Sequence, residues 1–164
     1  MNTSDFTTTI MVDHTPKEAF DAINNVRGWW SEEIEGITDK MNGEFSYHYQ
    51  VVHRCKIKIV ELIPDEKVVW YVVDNYFNFV KDQHEWKGTK IIFKISQKES
   101  ETQISLTHLG LVPQNECYEI CQNAWTNYIQ NSLRNLIITG KGQPNAKEKP
   151  QTIQEKELAM LNNQ

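Results

Sequence analysis

The sequence is short of the features that most readily betray a function. It has three cysteines, an odd number with no framework spacing, so it does not read as a disulfide scaffold. Its longest strictly apolar run, Val68 to Val73, is six residues. A membrane-spanning helix needs about 20. Positive charge is in deficit, with 17 Lys and Arg against 22 Asp and Glu and a net charge of −5. That balance gives no basic footprint for a nucleic-acid partner. The opening residues, MNTSDFTTT, have neither the basic stretch nor the apolar core of a signal peptide. The cytoplasm is therefore the expected compartment. His-Glu-x-x-His, Gly-x-Ser-x-Gly and Gly-x-Gly-x-x-Gly are all absent. Gly140-Lys141-Gly142 closes a helical pattern instead of opening one, so it is no phosphate loop. No metal and no cofactor is expected.

What remains is a chain of 164 residues, 39% hydrophobic and 24% charged. That composition suits one soluble domain large enough to bury a core. Residues 6–12 alternate and are β-branched, as a strand requires. Thr15-Pro16-Lys17-Glu18 has the chemistry of a capping box with proline at the first helical position. The helix it opens should bury Ala19, Phe20 and Ile23 and stop near Asn24 and Asn25. Residues 26–33 read as a second short helix or a tight loop. Four or five strands come next, over 43–50, 53–63, 68–76, 89–97 and 102–109. Pro64-Asp65-Glu66-Lys67 and Lys98–Glu101 are the turns between two pairs of them. Residues 77–88 are irregular.

The last large element is the clearest. Through Cys117, Ile120, Cys121, Ala124, Trp125, Tyr128, Ile129, Leu133, Leu136 and Ile137, apolar or small residues recur at steps of three and four. One helix is expected between Pro113 and Gly140, about 36 Å long if ~24 residues are helical. The order of elements gives an α+β fold, a curved antiparallel sheet wrapped around this long C-terminal helix with two short helices. Residues 1–144 form the expected domain. Residues 145–164 form a polar tail in which Ile153, Leu158 and Leu161 could line a short helix. The inward side chains are unusually aromatic: Trp30, Phe45, Tyr47, Tyr49, Trp70, Phe93, Trp125 and Tyr128. Such a set suits the wall of a pocket for an apolar or aromatic ligand.

Polar candidates are few. His108, near the end of a strand leading to the long helix, could orient a ligand's polar head or act as a general base; the preferred alternative is a histidine satisfied by backbone or by a neighbouring Tyr or Trp. Tyr47 and Tyr128 could help fix orientation. His48 and His53 flank a turn and are expected at the surface. Cys117 and Cys121 are four apart on the helix, about 5–6 Å between Cβ atoms. That is too far for a disulfide, so both read as small buried hydrophobes, with Cys121 facing the pocket. Glu32, Glu33 and Glu35 read as a solvated rim, with Arg27 pairing with them or meeting an anionic ligand.

One run carries a resemblance. It reads Thr107-His108-Leu109-Gly110-Leu111-Val112-Pro113, then Glu116-Cys117-Tyr118, Cys121, Ala124-Trp125, Tyr128, Ser132-Leu133 and Thr139-Gly140-Lys141-Gly142-Gln143-Pro144. With Trp29-Trp30, Glu66 to Trp70 and Lys87-Gly88-Thr89, it resembles the SRPBCC (START/Bet v 1-like) superfamily. Within that group it is similar to bacterial stand-alone homologues of the activator of heat-shock protein 90 ATPase. The resemblance implies a helix-grip fold with a hydrophobic cavity between sheet and helix. It implies binding of a small hydrophobic or amphipathic ligand with no assigned reaction. An enzyme of the polyketide cyclase or hydrolase type using the same cavity is the first alternative. A co-chaperone-like module acting on a heat-shock ATPase is the second, and the tail could close a homodimer.

Overall fold

The computed structural model describes residues 5–49 and 53–145. Strand β1 (Phe6–Val12) buries Phe6, Ile10 and Val12, and the chain then turns at Thr15. The Thr15 hydroxyl accepts from the Glu18 amide at 3.1 Å, and the Glu18 carboxylate accepts from the Thr15 amide at 3.0 Å. This reciprocal pair starts α1 (Pro16–Asn24), as expected, and a single turn, α2 (Val26–Trp29), comes after it. Arg27 departs from its expected role. Its guanidinium donates to the carbonyls of Ile34 and Gly36, both at 2.9 Å. It therefore staples the loop leading into β2 (Glu35–Gly36).

Five longer strands complete the sheet: β3 (Glu44–Tyr49), β4 (His53–Ile63), β5 (Lys67–Phe77), β6 (Lys90–Lys98) and β7 (Glu101–Leu109). All seven strands are antiparallel, in the order β1-β7-β6-β5-β4-β3-β2. The β4–β5 turn places Asp65 at φ 64°, and the β6–β7 turn places Glu99 at φ 57°. Two irregularities bend the long β4–β5 pair. Ile57 pairs with Val72 while Lys56 pairs with Asp74, so Val73 is an extra residue. Ile59 pairs with Trp70 while Glu61 pairs with Val69, so Val60 is another. Each bulge increases local twist and re-aims the side chains beyond it. The result is a sheet that curls.

The curl closes on the C-terminal helix. It begins as α3 (Tyr118–Asn127), widens into a π-helical turn (Tyr128–Leu133) and ends as α4 (Arg134–Thr139). Gly140 stops it in the left-handed region at φ 83°, where glycine carries no Cβ penalty. The wide turn buries Tyr128, Ile129, Ser132 and Leu133, four of its six residues. The Ser132 hydroxyl donates to the Trp29 carbonyl at 2.7 Å and accepts from the Gln143 amide at 2.8 Å. Beyond the helix the chain returns across the sheet's mouth. The Asn145 amide donates to the Trp30 carbonyl, and its carbonyl accepts from the Glu32 amide, each at 2.9 Å. Asn145, expected at the head of the tail, is thus 3% exposed and built into the domain. The short helix expected around Ile153 to Leu161 lies outside the described residues.

Much of the space between sheet and helix is occupied by rings. Trp70 stacks on Trp30 (5.8 Å between centroids, 9° between planes) and on Trp29 (6.2 Å, 11°). Phe45 and Phe93 meet Trp70 edge-on at 5.1 and 4.7 Å. Offset stacks and edge contacts are the favoured geometries for such rings. This end of the domain is a solid core.

Candidate functional site

At the other end the rings touch, with Trp86 stacked on Trp125 (5.8 Å, 9°) and Phe77 against Phe79 at 4.9 Å, but they do not fill the space. A cavity is left there, walled by Trp30, Tyr47 of β3, His53 of β4 and Phe77 of β5. Phe79 and Trp86, from the connection between β5 and β6, form its outer side. Ile120, Cys121, Ala124 and Trp125 of α3, with Tyr128, close it from the helix. About 420 Å³ of atom-free space lies within these walls and the mouth, but only about 30 Å³ admits the centre of a water molecule. One water needs about 10–15 Å³ on that measure. As it stands, the cavity holds a few waters or the edge of a ring.

Of the residues expected to bind a ligand, Trp30, Tyr47, Cys121, Trp125 and Tyr128 do line this space. Phe45, Trp70 and Phe93 do not; they are spent in the solid core around Trp70. Tyr49 is buried but stands outside the lining. His108 is also outside it, and its chemistry is already used. The Trp125 indole N–H donates to His108 Nδ1 at 3.1 Å. The ring's Nε2–H then donates to the Thr89 hydroxyl at 2.8 Å, which donates to the Trp86 carbonyl at 2.6 Å. This relay fixes the tautomer. Burial, with the nearby His53 adding to it, pushes the His108 pKa down to about 3. Both ring nitrogens are engaged, so His108 orients Trp86 and Trp125 and has no lone pair to offer a substrate.

The histidine that faces the cavity is the one expected at the surface. His53 Nε2 lies 2.8 Å from Asn75 Oδ1, and the ring packs against Phe77 at 4.4 Å and Trp86 at 4.7 Å. Burial pushes its pKa down to about 4, with the Asn75 hydrogen bond opposing. At neutral pH the ring is uncharged. Nε2 carries the proton toward Asn75, and Nδ1 is left as an acceptor. His53 shares strand parity with Cys55, Ile57 and Ile59, and that signal could have found it. Phe77 was hidden by the Val73 bulge, which shifts the inward residues from Val72 to Asn75 and Phe77. Phe79 and Trp86 sit in irregular chain, where no periodicity applies, and Ile120 and Ala124 belong to the helical stripe but not to the expected ligand contacts.

Other polar groups complete the picture. The Asn145 side-chain amide donates to the Tyr128 hydroxyl at 2.7 Å and to the Tyr47 hydroxyl at 3.4 Å. The Trp30 indole N–H is buried with no hydrogen-bond partner, a costly arrangement in an apolar site. The Cys121 thiol is held well above its ordinary pKa by burial and by Cys117, so it is no nucleophile at neutral pH. His48, also expected free at the surface, lies 3.1 Å from the Glu33 carboxylate. Glu33 is 14% exposed at its side chain, so the acidic rim is partly folded into the structure.

The connection 78–89 is tied to β5 by backbone hydrogen bonds, Gly88 to Val72 and Val72 to Thr89 at 2.9 Å, and to the long helix by carboxylates. The Glu85 carboxylate accepts from the amides of Glu116 and Cys117, at 2.8 and 3.0 Å, at the start of α3. The Glu116 carboxylate accepts in return from the Asp82 amide at 3.0 Å. This clasp holds Phe79 and Trp86 over the cavity.

Comparisons with known proteins agree with this architecture. Residues 13–137 match the family described as Activator of Hsp90 ATPase homolog 1-like protein. No curated protein matches the chain. Among solved structures, the Aha1 dimer from Colwellia psychrerythraea superposes with a TM-score of 0.68 at 21% identity, over 84% of this chain and 98% of that one. CalU16 from Micromonospora echinospora superposes at 0.57 with 13% identity, over 81% and 74%. DynU16, from the dynemicin biosynthetic locus, superposes at 0.61 with 11% identity, over 83% of this chain and 48% of that one. At these identities the structures establish the helix-grip fold. No described helix is long and apolar enough to cross a membrane.

Proposed function

Since the chain belongs to the Activator of Hsp90 ATPase homolog 1-like family, whose fold is a ligand-binding one, we propose that it binds a small apolar or aromatic molecule in the cavity beneath the 78–89 connection. The observation that carries this reading is the unfinished packing at that end. An aromatic wall surrounds space, and two of its residues, Trp30 and Trp86, have buried indole N–H groups with no partner among the described residues. A ligand larger than a few waters enters by moving Phe79, which is only partly buried. Binding is favoured over catalysis because His108 is fully hydrogen-bonded and His53 titrates near 4. A general base works best with a pKa near the working pH. The exposed large apolar side chains, Ile37, Met41, Ile63, Leu109 and Ile138, are spread over several elements. That scatter favours an internal site over an apolar docking patch.

The test is native mass spectrometry of the purified protein, followed by denaturation and identification of released molecules. The expected result is a stoichiometric apolar or aromatic compound, or its uptake from an added mixture. A clean apo mass that no mixture of small aromatics shifts overturns the reading.

A further inference from the structure

Among the described residues, the cavity wall has aromatic, aliphatic, thiol, imidazole and hydroxyl groups, but no Asp, Glu, Lys or Arg. The Glu85 carboxylate, whose charge is felt by Cys121 of the wall, spends both oxygens on the backbone amides of Glu116 and Cys117. The imidazole of His53 is tied through Nε2 to Asn75 and leaves one acceptor, Nδ1. The Tyr47 and Tyr128 hydroxyls are taken up by Asn145. An ion brought into this space would lose its hydration and find no opposite charge. A flat neutral molecule would stack on the rings and could complete the polar groups that remain.

We propose that the site selects uncharged aromatic molecules that carry an O–H or N–H donor, of phenol or indole type, with His53 Nδ1 accepting that hydrogen bond, and that it rejects aromatic carboxylates and amines. This rests on the cavity being the binding site, and it sharpens that reading into a choice between ligands of equal size. No bond is made or broken; the selectivity is one of solvation and hydrogen bonding.

The test uses five probes on the full chain at neutral pH: p-cresol, indole, toluene, 4-methylbenzoate and 4-methylbenzylamine. Binding is read from the indole N–H signals of the five tryptophans in a ¹H–¹⁵N spectrum. The expected result is that p-cresol and indole bind at least tenfold more tightly than either ion, and more tightly than toluene. An ion that binds within tenfold of p-cresol overturns the charge selectivity and leaves the binding site standing. If all five probes leave every indole signal unmoved, the binding reading itself falls, and the selectivity with it. A His53→Leu variant should lower the ratio of p-cresol to toluene affinity by at least threefold. An unchanged ratio in a folded variant removes His53 as the acceptor.

Discussion

The two ends of the space between sheet and helix use the same kinds of residue to opposite effect. At one end Trp29, Trp30 and Trp70 stack with Phe45 and Phe93 edge-on, and nothing is left empty. At the other, Phe77, Phe79, Trp86 and Trp125 surround a neutral imidazole and leave a cavity. The difference lies in what carries the rings. In the solid core they stand on strands or at the end of α2, on regular elements whose backbone hydrogen bonds fix their spacing. Over the cavity two of them stand on irregular chain held by the Glu85 carboxylate. Aromatic content alone therefore does not make a pocket. Here the gap lies where the ring-bearing backbone leaves the regular sheet.

This contrast can be broken by experiment. The largest effect should come from acid. Unfolded histidine titrates near pH 6.5, whereas His53 and His108 titrate near 4 and 3 in the fold. Above about pH 6.5 neither state takes the protons, and these two groups leave stability flat. Below it the unfolded chain protonates first, so stability falls with pH until the folded pKa values are reached. The loss by pH 4 should be about 2–3 kcal/mol for each imidazole, measured as the urea midpoint against pH. Both imidazoles lie at the cavity end, so a His53→Leu variant should show about half the slope.

Removing one ring from each end is the next test. Trp70→Ala empties the centre of the stack and should cost ~3–5 kcal/mol. Phe79→Ala, partly exposed at the mouth, should cost about 1 kcal/mol or less. Equal losses in urea unfolding would mean that the two ends are packed alike. Thr89→Val removes the hydroxyl between His108 and the Trp86 carbonyl. It leaves a buried imidazole N–H unpaired, at about 1–3 kcal/mol. The smallest effect on stability is expected from Glu85→Ala, about 1 kcal/mol for a lost charged cap. That variant should still loosen the cover, read as faster reaction of the buried Cys121 thiol with a thiol reagent. An unchanged labelling rate would show that the clasp does not hold Phe79 and Trp86 down.

The frame of the molecule was legible because its signals are local. Thr15 and Glu18 name a capping box by spacing alone, and Gly140 marks a helix end because only glycine sits there freely. The alternation of β6 and β7 and the polar turn at Lys98–Glu101 name a hairpin. The site was half legible. Trp30, Tyr47, Cys121, Trp125 and Tyr128 declare themselves by face. The bulges at Val60 and Val73 do not, because they arise from pairing between β4 and β5 and not from either strand's own pattern. One such residue was enough to hide Phe77 and to make Asn75 face inward. The state of His108, satisfied by a neighbouring tryptophan as preferred, could not be fixed from sequence for a related reason. A histidine's availability depends on Thr89 and Trp125, 19 and 17 positions away, and no window of sequence holds all three. The π-helical turn is equally invisible, since its residues fit an ordinary helical stripe.

The pairing of β1 with β7 has a consequence for how the chain is made. Thr7 and Leu106 meet across that ladder, 99 positions apart. During synthesis at ~5–20 residues per second, β1 leaves the ribosome some ~5–20 s before its partner strand exists. In that interval its buried face of Phe6, Ile10 and Val12 has no sheet to join. The threonines between them, Thr7, Thr8 and Thr9, keep the waiting segment polar enough to stay soluble until the last strand arrives.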